Sequence, residues 1–395
     1  MNFFRSDVAK ASYLALFVAL FFVLSVIDLR IDVINPDGIN WHTRTQAFIA
    51  ALDKRDYAKT FQAYHPGTSL MWISGPFLDF FTGGSTRAAA AIDPKGSFLD
   101  LDYYAKLSLV VFCTLMFFLI LVVLWKMIDM KYAIFFAIPF ALEPFVIGTR
   151  RLYHLDFLMT ISLFLCFLLL VYFNYKATKW VFLVGAGLFY ALALLTKSAA
   201  IIFLPGVPFI FWLGNSSVFK KFLGLLTFTL FTAVFIYVFF PPIWDNPIKQ
   251  VPRYYGKIAF GVTDIGIEGK KEIGSSGDAA NIVLDEVVDE RPPNFYLTSL
   301  FVRFSIVGVD LVLIAVSVYI YFSLKGFFSA IWKSIKQKSI PRVFSYQTES
   351  WLAFWSLGFT TAALIALSIP LKKNDRYEIL IFPFLIAVVA YFLNK

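Results

Sequence analysis

The chain alternates between long uncharged apolar stretches and short polar turns, and the lengths of the stretches decide what they form. Apolar residues run without a charge through residues 107–125, 157–175, 180–196, 198–219, 222–244 and 350–371. Shorter or interrupted runs occupy residues 11–27, 132–147, 304–324 and 379–394, the third of them broken by Asp310. A bilayer core about 30 Å thick takes roughly 17–25 apolar residues per helical span. In that solvent a single segment satisfies its own backbone polar groups only as a helix. The pattern therefore predicts an all-α polytopic membrane protein with ten transmembrane helices. No A-x-A-like small-residue site follows the first run, which is also long for a signal-peptide core, so it is expected to be a retained span. No internal repeat is visible.

Composition strengthens this picture. Of 395 residues, 59% are hydrophobic and 15% charged, against about a quarter charged in a soluble domain. The net charge of +9 fits cytoplasmic loops facing anionic lipid, and no nucleic-acid partner is expected. Cys113 and Cys166 lie inside apolar runs, as packing residues and not as a disulfide framework.

Short loops rich in Lys and Arg stay cytoplasmic. Arg5 and Lys10, Lys126 and Lys131, Lys176 and Lys179, Lys220 and Lys221, and the basic segment from Lys325 to Arg342 fall at alternate ends of the runs. Ten spans then place both termini in the cytoplasm. The opposite face carries two long loops, residues 28–106 and 245–296, and three short turns that break the rule. Those turns hold Arg150 and Arg151, then Lys197, then Lys372, Lys373 and Arg376. Three basic turns on the wrong side imply an anionic ligand held at the extracytoplasmic face. All three histidines, His42, His65 and His154, fall on the same face.

Residues 40–52 read as a helix with Trp41, Phe48 and Leu52 on one face, and residues 68–81 as a second, after the turn His65-Pro66-Gly67. Both are too short to span and are expected to lie in the interface plane. Residues 245–296 are polar, rich in Gly and Ser and then acidic; they are expected to form a mobile cap over a site. Trp72 and Trp244 read as interfacial anchors, and Arg303 and Asp310, seven apart, as a pair on one helical face.

Asp37 admits two readings, a helix N-cap (a role Asn40 also suits) or a functional acid. Asp156 admits a salt bridge with Arg150 or Arg151, or a place in the site. A carboxylate in a membrane-embedded cleft can take a hydroxyl proton, and guanidinium and ammonium groups hold phosphate. That set suits breaking a sugar–phosphate bond on a lipid carrier, and ion-coupled transporters also place acids and bases in membranes.

Taken in order, PDGINWHTRTQAFIAAL, YHPGTSLMW, TRRLYHLDFLMT, LLTKSAAIIFLP, PPIWDNP and KKNDRYEILIFPFL resemble the multi-span C-type (GT-C) glycosyltransferases, in particular the protein-mannosyltransferase-like branch. The similarity runs from about Asp37 to Pro383. It implies an enzyme that inverts the anomeric carbon while moving a sugar from a polyprenyl-phosphate donor to an extracytoplasmic protein, lipid or glycan; the lack of a eukaryotic-style targeting signal points to a prokaryotic inner membrane. The resemblance makes Asp37 the general base. The family often has a second acid directly after it, where this chain has Gly38. Asp156 becomes the other catalytic carboxylate, and Arg151, His154, Lys197, Lys372, Lys373 and Arg376, with Asp375 beside them, active-site and donor-phosphate residues. His65 belongs near the acceptor or the sugar, and Trp41, Arg44 and Trp244 line the substrate site.

A single membrane domain over residues 1–395 with no appended soluble domain is expected, and no cofactor. The less favoured alternative is a divalent metal between Asp37 and Asp156. Two other classes compete. A flippase of lipid-linked glycans would show two related halves and a midplane site. A non-catalytic subunit of a glycan-assembly complex would use residues 245–296 to bind its partner. The sequence leaves the sugar, the acceptor and the oligomeric state open.

Overall fold

A computed structural model describes residues 7–82, 97–214, 217–260, 292, 294–337, 348–369 and 375–395. Among them are helices and short 3-10 turns, and no strand. The chain enters through α1 (Asp7–Val26), and the first long loop contributes α2 (Pro36–Asp53) and α3 (Thr68–Thr82). It continues through α4 (Ser97–Met127), α5 (Met130–Leu142), α6 (Pro144–Arg150), α7 (Leu155–Tyr175) and α8 (Val181–Thr196). A 3-10 segment, Ser198–Gly206, leads into α9 (Val207–Trp212) and α10 (Val218–Phe239). After α11 (Pro247–Phe260) come α12 (Phe295–Arg303), α13 (Ile306–Gln337), α14 (Thr348–Ser368) and α15 (Phe382–Asn394).

Over their described residues the ten apolar runs are mainly helical, with 3-10 stretches and breaks, but they differ in reach. Six helices are long and apolar enough to cross a membrane: α1, α7, α10, α14, and the segments Phe98–Met127 and Ile306–Lys325. A seventh is α5 with α6, bent by 70° where Pro144 opens the second helix and cannot donate into the first. Three segments are shorter: α8, Ser198–Trp212 and α15. The chain is an integral membrane protein, with six or seven helices that meet the length criterion for a span.

The long helix α7 is central and buried along nearly its whole length. Phenylalanines knit it to its neighbours: Phe21 of α1 stacks on Phe157 at 6.4 Å, and Phe136 of α5 on Phe164 at 5.3 Å. Lipid tails are as apolar as these rings, so it is close packing and not exclusion from water that joins them. In contrast α1, α10 and α13 bury little of their surface in the protein and face outward.

Two expectations change. Arg303 ends α12 and Asp310 lies exposed on α13; the break at Phe304 and Ser305 puts them on different helices, so their spacing does not align them. Residues 247–260, read as polar loop, form a helix, whereas the Gly- and Ser-rich and acidic stretches lie outside the described residues.

The basic turns sort to two ends. Lys10 and Lys126 both approach the Trp125 ring, Lys131 reaches the Asn394 carbonyl, and Lys395 pairs with Glu349. The turns around Asp37, Arg151, Lys197 and Arg376 meet elsewhere, as follows.

Candidate active site

Four segments far apart in sequence converge. The first is the start of α2. Its N-cap is Asn35, whose side chain accepts the Asp37 N–H at 3.1 Å, while Pro36 occupies the first turn, where a missing N–H costs nothing. Neither Asp37 nor Asn40 is therefore the cap. Gly38 lets this turn lie close: a Cβ there would stand 3.4 Å from the Tyr153 carbonyl. Asp37 thus reaches the 151–156 turn. Its Oδ2 lies 2.5 Å from Arg376 Nη1 and 3.4 Å from His154 Nε2.

Asp156 sits in the first turn of α7, where the helix dipole favours an anion. Its Oδ2 lies 2.9 Å from His154 Nδ1 and 3.4 Å from Arg376 Nε, and its Oδ1 receives Lys197 Nζ at 2.5 Å. Lys197 is the C-cap of α8, the favourable end for a cation, and its ammonium lies 4.0 Å from the centre of the Tyr377 ring. The 3-10 turn Asp375–Leu380 supplies Arg376 and Tyr377. The cluster has a buried floor and an open lip: the Asp156 and Lys197 side chains are 3% and 5% exposed, those of Arg376 and Asp37 27% and 41%.

The electrostatics follow the contacts. The His154 hydrogen bond, helped by the Arg376 charge and opposed by partial burial, holds the Asp37 carboxyl well below the usual range. Burial works against the Arg376 charge, but Asp156 and Asp37 outweigh it and push Arg376 up. Burial and the nearby Lys197 push His65 well below the usual imidazole value, so it stands neutral, with Nδ1 2.8 Å from Ser198 Oγ. Burial pushes Glu378, two residues beyond Arg376, up to about 7.

The turn after His65 has a clear reason for its glycine. Gly67 has φ +61°, a Cβ there would stand 2.0 Å from the Trp41 ring, and its N–H donates to the Thr196 carbonyl at 3.1 Å. His65-Pro66-Gly67 thereby ties α2 to the end of α8 beside Lys197. Trp41 is buried beneath this turn, with the Arg44 guanidinium 4.7 Å from its ring centre.

Other candidates are placed elsewhere. Arg151 turns to Asp32, with Nε 2.7 Å from Oδ2, and donates to the Leu24 carbonyl at 3.3 Å. Arg150 is buried, donating to the Ala141 and Phe21 carbonyls. His154, by contrast, stays within the cluster, buried between the two carboxylates. Trp244 donates to the Tyr237 carbonyl and packs edge-on against Tyr57 beside α11. Lys372 and Lys373 lie outside the described residues.

Sequence reasoning missed a second cluster. His42 Nε2 lies 2.9 Å from Asp102 Oδ1, and Lys106 Nζ 2.7 Å from Asp102 Oδ2. Lys106 also donates to the Val33 carbonyl at 3.2 Å. The Tyr153 ring stacks on His42 at 4.5 Å, and its hydroxyl meets Thr45 and Ser74 at 2.8 and 2.6 Å. The four-residue spacing of Asp102 and Lys106 was the available signal, since such pairs face one another on a helix.

The gap between Asp37 and Asp156 does not fit a divalent ion: Arg376 and His154 contact both carboxylates there. Among the described residues no group of three or more His, Cys, Asp or Glu is arranged to hold a metal.

No protein-family profile matches this chain, and no curated protein resembles it closely enough in sequence to count as a match. Solved structures do match in fold. ArnT from Cupriavidus metallidurans bound to undecaprenyl phosphate superposes with a TM-score of 0.59 at 12% identity, covering 97% of this chain and 60% of that one. The same protein in the apo state gives 0.56 at 12% identity, covering 98% and 60%. The archaeal oligosaccharyltransferase AglB from Archaeoglobus fulgidus, in complex with an inhibitory peptide and a dolichol-phosphate, overlaps more loosely at 0.45 and 12%, covering 97% and 50%. This chain therefore spans about 60% of the length of ArnT. The fold is the GT-C fold.

Proposed function

We propose that this chain, built on the GT-C fold, is an inverting glycosyltransferase that moves a sugar from a polyprenyl-phosphate donor to an acceptor hydroxyl. The observation that carries the reading is the convergence of Asp37, His154, Asp156, Lys197 and Arg376 at one end of a bundle of that fold. The ArnT structure, with undecaprenyl phosphate bound, supports a carrier of the same chemical class.

In this reading Asp37 takes the proton of the acceptor hydroxyl as that oxygen attacks the anomeric carbon from the face opposite the phosphate. The bond from the anomeric carbon to the phosphate oxygen breaks, and its electron pair leaves with polyprenyl phosphate. Arg376 offers its planar fork to that phosphate, with Lys197 reinforcing the positive field from the floor. Lys372 and Lys373, just before Arg376 in the chain, add phosphate contacts. Asp156 holds Lys197 and His154 in register. His65 and the Trp41–Arg44 stack border the acceptor side. The cation at the site is supplied by the protein, without metal. The Asp37 end lies outside the cytoplasm of a prokaryotic inner membrane, with both termini inside.

The test uses purified protein in lipid nanodiscs with a panel of labelled polyprenyl-phosphate sugars and candidate acceptors, with and without EDTA. The expected result is release of polyprenyl phosphate from one donor, unaffected by EDTA. Donor that binds and is never cleaved with any acceptor would favour carriage of the lipid over transfer.

A further inference from the structure

Among the described residues, the site's cations and carboxylates are already paired, which raises the question of what a phosphate would bind. Lys197 is buried against Asp156 and the Tyr377 ring, and Arg151 is engaged by Asp32. Arg376 is different. Its Nη1 lies 2.5 Å from Asp37 Oδ2 at the open lip, and its side chain is 27% exposed. The two ends of its guanidinium are also unequal. Toward the floor, Asp156 has Lys197 and His154 at 2.5 and 2.9 Å and keeps two partners whatever Arg376 does. Toward the lip, Asp37 has Arg376 and a longer 3.4 Å contact to His154.

We infer that Arg376 is a shared counter-ion, paired with Asp37 in the resting site and transferred to the donor phosphate when the donor binds, so that donor binding releases Asp37 to act as base. This rests on the glycosyltransferase reading and adds an order to it. A partly exposed ion pair is weak, because solvent screens it and two side chains must be ordered to form it. A phosphate presents several anionic oxygens to the same fork and outcompetes one carboxylate. The exchange also resolves a chemical conflict. A carboxylate held by a guanidinium and an imidazole is a stable anion and therefore a poor base. Once Arg376 turns to phosphate, Asp37 keeps the His154 contact and becomes more basic while the donor is in place. Proton abstraction is thereby confined to the loaded site, and the donor binds before the acceptor is activated.

Linkage makes this measurable, because a competitor that weakens donor binding strengthens it when removed. The probe is a short-chain polyprenyl phosphate without sugar, titrated against the full chain in nanodiscs. Wild type, Asp37→Asn, Arg376→Gln and the double variant form a cycle, with thermal unfolding confirming that each is folded. Asp37→Ser repeats the test should Asn disturb the α2 start. Should Arg376→Gln bind too weakly to titrate, Arg376→Lys takes its place. Competition predicts that Asp37→Asn binds the probe about fivefold more tightly in the wild-type background and less than about twofold more tightly without Arg376. An equal gain in both backgrounds would reduce the effect to charge repulsion and overturn the exchange, as would no gain at all; either leaves the glycosyltransferase reading standing. Absence of probe binding to wild type would overturn both.

Discussion

Two carboxylate–histidine–cation clusters meet around residues 153 and 154, made of the same residue types and finished in opposite ways. His42, Asp102 and Lys106 are 3%, 3% and 1% exposed. Each Asp102 oxygen has a protein partner, Lys106 reaches on to a backbone carbonyl, and Tyr153 lies across the imidazole. In the other cluster the floor is equally dry, but Asp37 and Arg376 stand at an open lip. Residue type does not separate structural from chemical charge here; access does. A buried pair contributes little net stability but is costly to break. At the open lip an incoming group can replace a protein partner.

That contrast can be broken from either side. The largest effect is expected for Asp37→Asn, which keeps the shape and removes the proposed base: turnover should fall about 10³-fold with thermal unfolding unchanged, measured by polyprenyl phosphate release. Asp102→Asn strands two buried partners and should cost about 3–5 kcal/mol of stability, seen in denaturant or thermal unfolding, while the molecules that remain folded keep their turnover.

Glu378→Gln sharpens the comparison through pH. The ordinary carboxyl value is 4.5 and the folded one about 7, so between them the folded chain binds the extra proton. Because the folded value is raised, this contribution is fully present below about pH 4.5 and is lost as pH rises through about 7. Relative to Glu378→Gln, wild type should lose roughly 3 kcal/mol across that window. Thermal unfolding in detergent at a series of pH values checks this; parallel curves for the two proteins would refute it. The smallest effect is expected for Arg151→Gln. Its pair with Asp32 is partly exposed, so stability should change by under about 1 kcal/mol and turnover by less than about threefold. A large loss of turnover would return Arg151 to the site.

The helices were legible because the bilayer imposes a length on apolar runs, and the described residues of those runs are mainly helical. The GT-C resemblance carried by the loop motifs agrees with the fold; the likeness to ArnT speaks for that fold and not for the mannosyltransferase-like branch. Basic turns on the wrong face led to Lys197 and Arg376, which do meet Asp37 and Asp156. Pairing was less legible. Asp32 and Arg151 are 119 residues apart and His42 and Asp102 60 apart, and no local period links them, so neither pairing could be read from the sequence. The α11 helix was readable in principle: Ile248, Val251 and Tyr255 recur at helical spacing, as do Lys249, Arg253 and Lys257. Pro247 and Pro252 obscured it, although the first stands at the helix start, where proline is tolerated.

The most direct measurement of the central claim is turnover per folded molecule for Asp37→Asn and Asp102→Asn in one nanodisc preparation, with the folded fraction determined on the same samples. The account predicts near-zero turnover with a full folded fraction for Asp37→Asn, and a reduced folded fraction with wild-type turnover per folded molecule for Asp102→Asn. Equal turnover per folded molecule in Asp37→Asn and wild type would contradict it, and the open lip would then be no more chemical than the closed cluster beside it.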